Sequence, residues 1–226
     1  MAEPTAIFSL RYAGSVGYYA AMLRYGSIVL DIEERFCKKN KCLNRMDIVG
    51  PNGRQSLSMP LAKPNSSQKV GEIVLSEHGN WRHNHWGALF SAYGRTPFFE
   101  YFADDLKQLY QSDITTVGEF NLELHRLIVD FLDLPIETKV ADGSMSFDIL
   151  HDFRDRRQID FCEYSLPSYY QIWSDKQGFI PNLSILDLLF NEGRQAIYHF
   201  VGQVNSNSFR IRNTFRPSWR GRGCGS

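Results

Sequence analysis

Arg82 and His85 stand three residues apart in a stretch, residues 80–102, that also holds Trp81, Trp86 and a run of further aromatics. On a helix that spacing puts both side chains on one side. If Asn80 caps the helix, both fall in its first turn, where unpaired N–H groups and the positive end of the dipole suit an anion. Arg82 would then clamp a phosphate or carboxylate, and His85 could serve as a general base. A structural network beside the two tryptophans fits the same residues, and the sequence leaves both readings open. Arg45 is a second cation, next to Asn44. Its fork suits bidentate binding of phosphate or carboxylate; an Asn bonded to backbone beside a surface ion pair would read the same way. Asn182, Asp187 and Asn191 interrupt an apolar segment. Once buried they need partners, and so either fix a loop or meet sugar hydroxyls. Asp31 could orient a sugar or an amine, while Glu34 reads as exposed surface. No Ser-His-Asp set, P-loop, dinucleotide fingerprint or His-Glu-x-x-His motif occurs, no metal-ligand cluster is expected, and no cofactor is named.

These side chains need a scaffold. Residues 5–11 read as a strand, 12–17 as a small-residue turn, 16–25 as a helix with Tyr18, Tyr19, Met22 and Leu23 inward, and 27–32 as an apolar strand of the buried parallel type. A strand–helix–strand crossover of this length predicts an α/β fold, Rossmann-like, with ligands at the carboxyl ends of the strands. Asn52-Gly53 predicts an inserted β-hairpin. Residues 69–75 read as another strand. A helical block follows. Trp86, Leu89, Phe90 and Tyr93 form the apolar face of its first helix, Gly94 stops it, and Pro97 opens the next. Thr116 with Glu119 predicts a capping box for a helix running to Leu134. Strands are expected at 136–141 and 159–164, and Ser184 is expected to cap a short helix ended by Gly193.

Composition narrows the partners. Lys plus Arg and Asp plus Glu number 25 each, so no global field steers the chain to nucleic acid or membrane. Residues 202–226 hold five arginines and no acid, which leaves residues 1–201 at −5. We read one domain over 1–201 and a disordered basic tail over 202–226, through which RNA could be bound weakly. Four cysteines without a C-x-x-C pair fit reduced thiols. No signal peptide or bilayer-length apolar run is read, so a cytoplasmic protein without a membrane span is expected, its oligomeric state open.

Two long blocks carry a resemblance. Asn80-Trp81-Arg82-x-x-His85-Trp86 with Ala92-Tyr93 and Thr96-Pro97-Phe98-Phe99-Glu100-Tyr101 is one; the run from Phe179 through Pro181-Asn182-Leu183-Ser184-Ile185 to Gly193 is the other. Together with Asn44-Arg45 and Gly17-Tyr18-Tyr19 they resemble the WbqC-like protein family, in the short form found in Bacteroidetes-type bacteria. The resemblance implies a role in surface-polysaccharide (O-antigen-type) biosynthesis, with a transferase activity that includes transfer of glycine to a sugar, on a small anionic or sugar substrate. It also brings Tyr18 among the binding candidates. Two family features are missing. Phe8, Ser9 and Leu10 fill the place of a His-Gln-Pro block, and residues 140–178 carry no glycine-rich loop that could cradle phosphate. A binding module that has lost its catalytic blocks is therefore the alternative expectation.

Overall fold

The structure, a computed structural model, describes residues 5–39, 41–141, 149–154 and 167–200. Four parallel strands form the central sheet: β1 (Thr5–Ser9), β2 (Ser27–Asp31), β5 (Glu137–Ala141) and β6 (Ile149–Phe153), in the order β5-β2-β1-β6. β1 pairs with β2 from Ala6 opposite Ile28 to Ser9 opposite Asp31. β2 is buried along its whole length, which explains its uninterrupted apolar run. The crossover helix α1 (Val16–Leu23) is buried at every residue, so the expected inward set of four is too small. The chain goes outward from β1 through β2 to β5, then returns to place β6 on the other side of β1. That reversal puts a topological switch point at the carboxyl end of β1, where open α/β sheets leave a crevice. This is the expected Rossmann-like core.

The hairpin β3 (Arg45–Gly50) and β4 (Gly53–Ser58) forms as the Asn-Gly turn predicts, with Arg45 opposite Ser58 and Gly50 opposite Gly53. The helical block comprises α2 (Trp81–Tyr93), α3 (Phe99–Tyr110) and α4 (Val117–Phe131). Thr116 caps α4 by accepting from the Glu119 N–H at 3.2 Å. The short α5 (Ser174–Gln177) and α6 (Ile185–Glu192) complete the described chain before a 3-10 turn at Gly193–Phe200. Ser184 caps α6 and Gly193 ends it at φ 58°. A single core cluster joins β1, β2, α1, α2, α4 and α6.

Several expectations give way to tertiary packing. Residues 69–75 are not a strand; Val70–Glu72 is a 3-10 turn whose Gly71 N–H donates to the Ile32 carbonyl at 2.8 Å. Helix α4 lies directly on that turn, and a Cβ on Gly118 would come within 2.5 Å of Gly71 Cα. Asn80 does not cap α2. Its backbone is left-handed (φ 48°) and its side chain makes no cap bond. The buried side of α2 is Trp81, His85, Leu89, Ala92 and Tyr93, with Phe90 60% exposed. His85 thus faces the core, where the expected face had Phe90. Strand β6 went unread because Leu150-His151-Asp152 has no apolar run; it forms by pairing with β1. The strand expected at 159–164 and the tail lie outside the described residues. None of the described helices is long and apolar enough to cross a membrane.

Candidate functional site

The turn after β1, residues 10–15, brings the chain from the carboxyl edge of the sheet into α1. Segment 182–185 clasps it. Val16 N–H donates to the Leu183 carbonyl (2.9 Å), Gly17 N–H to Asn182 Oδ1 (3.0 Å) and Ile185 N–H to the Gly14 carbonyl (2.9 Å). The Ser184 hydroxyl donates to the Ala13 carbonyl at 2.9 Å. Ser15 completes the cap by accepting from the Tyr18 N–H at 3.4 Å. Asn182 reaches its place with a left-handed backbone (φ 55°), which Asn tolerates better than most residues. The first amides of α1, where a free helix would hold an anion, are therefore already taken. Tyr18 lies beneath the turn: its hydroxyl donates to the Ser9 carbonyl at 2.8 Å, and burial holds the phenol well above its ordinary range. Gly14 must lack a side chain, because a Cβ there would run into the Tyr18 ring.

In front of this turn is a cavity of about 150 Å³. Arg11 and Ser15 line it from the turn after β1, Cys42 from the 3-10 turn Lys41–Leu43, Arg45, Asp47 and Arg54 from the hairpin, and Asn182 from the clasp. Arg11 is 6% exposed and its guanidinium lies 4.8 Å from the Tyr18 ring centroid. Arg45 donates through Nε to Ser58 Oγ at 3.0 Å, and its two terminal nitrogens make no hydrogen bond or ion pair among the described residues. Asp47 is engaged on both oxygens. Arg54 gives Nε (3.1 Å) and Nη2 (2.6 Å) to Oδ2, and Ser56 Oγ donates to Oδ1. Because Asp47 pairs with Ser56 across the hairpin, Arg54 is its diagonal neighbour on the same face.

Of the residues singled out from the sequence, Arg45 and Asn182 line this cavity; Arg82, His85, Asn44, Tyr18, Asp187 and Asn191 do not. Asn44 is bonded to Met59 in both directions, its Nδ2 to the Met59 carbonyl at 2.7 Å and its own carbonyl to the Met59 N–H at 2.8 Å. Arg82 donates through Nη2 to the Ile114 carbonyl, reaches Glu77 Oε1 from Nε at 3.4 Å, and lies over the Trp81 ring at 4.8 Å. His85 is 5% exposed, with Nδ1 2.8 Å from Tyr12 Oη, which in turn is 2.5 Å from Tyr110 Oη. The ring also bonds the Ser58 backbone, and burial lowers its pKa to about 4. A neutral imidazole donating to that carbonyl accepts from Tyr12, and Tyr12 accepts from Tyr110. His85 therefore stands one residue behind the cavity and holds two of its neighbours, Tyr12 and, through Ser58, Arg45.

Asp187 and Asn191 belong to a separate, buried network. Tyr169 Oη (2.7 Å) and Gln171 Nε2 (2.8 Å) donate to Asp187 Oδ2, and Tyr93 bonds the same carboxylate. Burial raises the Asp187 pKa to about 6. Asn191 accepts from the Ile172 N–H at 3.0 Å and donates to the Asp187 carbonyl at 2.7 Å. Together they fasten residues 169–172 onto α6. At the sheet edge, Asp31 is buried and bonded by Arg154 Nη1 at 2.6 Å, and Glu34 is half-buried, accepting from Ser9 Oγ at 2.6 Å. Glu34 is thus not the exposed residue expected. Arg11, Asp47 and Arg54 were missed. Arg11 had a signal, its place directly after β1 at the carboxyl edge; Arg54 needed the hairpin register.

The model of the WbqC-like protein family matches residues 11–151 and 142–199, nearly all of the chain before its tail. The chain is also 25% identical, over 226 aligned positions, to the uncharacterized protein Rv1507c of Mycobacterium tuberculosis (strain ATCC 25618 / H37Rv). That alignment covers 86% of this chain and 96% of the relative. No solved structure matches it.

Proposed function

The chain belongs to the WbqC-like protein family, and from that premise we propose that it is a cytoplasmic transferase of surface-polysaccharide biosynthesis, of the O-antigen type, acting on an activated sugar or an aminoacyl donor such as a glycyl group. The donor's anionic group enters the cavity at the carboxyl end of β1. One observation carries this: Arg45 lines a switch-point cavity with neither terminal nitrogen of its fork bonded among the described residues, and a second guanidinium, Arg11, lines the same cavity. A fork unengaged at both ends among the described residues suits a planar or tetrahedral oxyanion. His85 serves as a positioning residue for Tyr12 and Ser58, since a buried neutral imidazole engaged at both nitrogens is poorly placed to take a substrate proton.

The second reading, a binding module without turnover, is favoured by Phe8-Ser9-Leu10 standing in place of the family's His-Gln-Pro block. One experiment separates the two. The full chain is screened by thermal shift against nucleotide sugars, aminoacyl-adenylate analogues and free amino acids, and hits are incubated with sugar acceptors and read by mass spectrometry. A donor that raises Tm and is consumed, with both effects lost in Arg45→Ala, supports the transferase. A ligand that raises Tm but is never consumed supports the binding module. No shift with any class counts against both.

A further inference from the structure

We propose that the outer edge of β4 is a strand-addition surface that takes an extended acidic peptide, with Arg45 as its counter-charge. This goes beyond the transferase reading and needs no turnover, although both place an anion beside Arg45. The hairpin register tells which backbone groups lack a partner. The Met59 N–H donates to the Asn44 carbonyl at 2.8 Å, so that pair exchanges ladder bonds. Every second pair up the hairpin does the same: Met46 with Leu57, Ile48 with Gln55, Gly50 with Gly53. The residues between them turn their N–H and C=O groups away from the partner strand. On β3 such groups reach the body of the protein. The Val49 N–H donates to Tyr93 Oη at 3.2 Å, and the Asp47 carbonyl accepts from the Ser184 N–H at 2.8 Å. On β4 they belong to Arg54, Ser56 and Ser58. His85 takes the Ser58 carbonyl. The outward N–H and C=O groups of Arg54 and Ser56 have no partner among the described residues, and Arg54, Gln55 and Ser56 are exposed.

Open edges of this kind are commonly guarded by a bulge, a proline or an unmatched charge. Strand β4 has none of these guards. It is six residues long, contains no proline and pairs with β3 without a bulge. Its one charge, Arg54, is held by Asp47 through Nε and Nη2. An added strand would satisfy the free groups, and main-chain bonds give such additions their affinity.

Charge selects the occupant. The charged side chains of the hairpin are Arg45, Asp47 and Arg54, which share one face and sum to +1. Arg45 crosses the hairpin to Ser58 Oγ at 3.0 Å, so its guanidinium lies against β4 with both terminal nitrogens unengaged among the described residues. A carboxylate on an added strand complements that cation. A second copy paired edge to edge would bring two +1 faces to the same side of one sheet, where like charges repel. Residues 202–226, with five arginines and no acid, carry the wrong sign as well. An acidic segment is the occupant that both the edge and its charge fit.

The test is fluorescence anisotropy and amide hydrogen exchange on the full chain. The probes are an eight-residue peptide of alternating Glu and Val, its Lys-Val counterpart, and the Glu-Val peptide methylated at every backbone nitrogen. The Glu-Val peptide should bind and slow exchange at the Arg54 and Ser56 amides. The Lys-Val peptide should bind about tenfold more weakly or not at all, and the methylated peptide should not bind. Ser56→Pro removes an outward N–H without touching a ladder bond, and should weaken binding about tenfold. Ser56→Ala keeps that N–H and should bind as the parent does. Arg45→Ala should lower the preference for Glu-Val over Lys-Val. Methylated peptide binding as tightly as the parent peptide overturns strand addition, and it decides the matter if Ser56→Pro does not fold. Lys-Val binding as tightly as Glu-Val overturns the acidic assignment. Protection of the Arg54 and Ser56 amides without peptide also overturns the proposal: if it fades on dilution the edge belongs to a second copy, and if it does not, to the chain's own tail. Small anions that bind through Arg45 while no peptide binds overturn this surface and leave the transferase reading standing.

Discussion

Two polar regions meet back to back at the turn after β1. Behind the turn, Tyr110, Tyr12, His85 and the Ser58 carbonyl form one hydrogen-bonded chain, walled by Trp81 and Phe120 and sealed from water. In front of it, Arg45, Asp47 and Arg54 line a cavity open to solvent, and their bonds are local and exposed. The first region contains the most conspicuous motif in the sequence; in the second only Arg45 belongs to a motif, the short Asn44-Arg45 pair, and no motif marks Asp47 or Arg54. Their difference lies in what each can give up. A buried network loses stability when any member is removed, because its partners cannot turn to water. An exposed rim can trade partners at little cost, which a binding site requires.

Mutation of the buried region should have the largest effect. Trp81→Ala removes a ring in contact with His85, Tyr110 and Phe120, and should cost about 3–5 kcal/mol in urea unfolding. A loss below about 1 kcal/mol would mean that this region is not the structural one.

Acid should come next. The His85 and His125 pKa values in the fold are about 4, below the model-peptide 6.5, so the unfolded chain takes up these protons first. Their stabilising contribution is complete above pH 6.5 and is lost as pH falls toward 4. Asp187 has the opposite sign. Raised to about 6, its contribution is present at low pH and is lost as pH rises through 6. Between pH 6 and 4 two histidines outweigh one carboxyl, and stability should fall by about 1.4 kcal/mol per pH unit. His85→Ala should cost about 2–3 kcal/mol at pH 7, by opening a cavity and stranding the Tyr12 hydroxyl. It should also flatten the pH dependence in that window, because His125 and Asp187 then nearly cancel. An unchanged slope in the variant would show that His85 is not buried neutral.

At the boundary, Asn182→Ala should cost about 1 kcal/mol, as loss of a helix cap does, since the Gly17 N–H loses its acceptor. The smallest effect should belong to Arg45→Ala, within about 0.5 kcal/mol in stability, with ligand binding lost. A large destabilisation there would place Arg45 with the structural residues and erase the contrast.

Much of the scaffold was legible. The apolar run of β2, the Asn-Gly hairpin turn, the Thr116 cap and the Ser184 cap are local patterns, and local backbone chemistry decides them. The turn at Val70–Glu72 was not, because it leads into the apolar run Ile73-Val74-Leu75, which reads as a strand, while a glycine-on-glycine contact with α4 sets the conformation. Nor was β6, which exists by pairing with β1.

The sequence by itself determined the α/β class, the positions of hairpin and helical block, and which residues could carry charge or hydrogen bonds. Only the tertiary structure decided which of them share a place. Arg82 and His85 are three apart on a helix, yet one bonds the Ile114 carbonyl and the other faces Tyr12. Arg11, Arg45 and Arg54 lie on three different segments and line one cavity. The reason is physical: helical spacing fixes which side chains share a face, but the burial of that face and the register of a distant hairpin decide whether a charge meets water, a partner or a ligand.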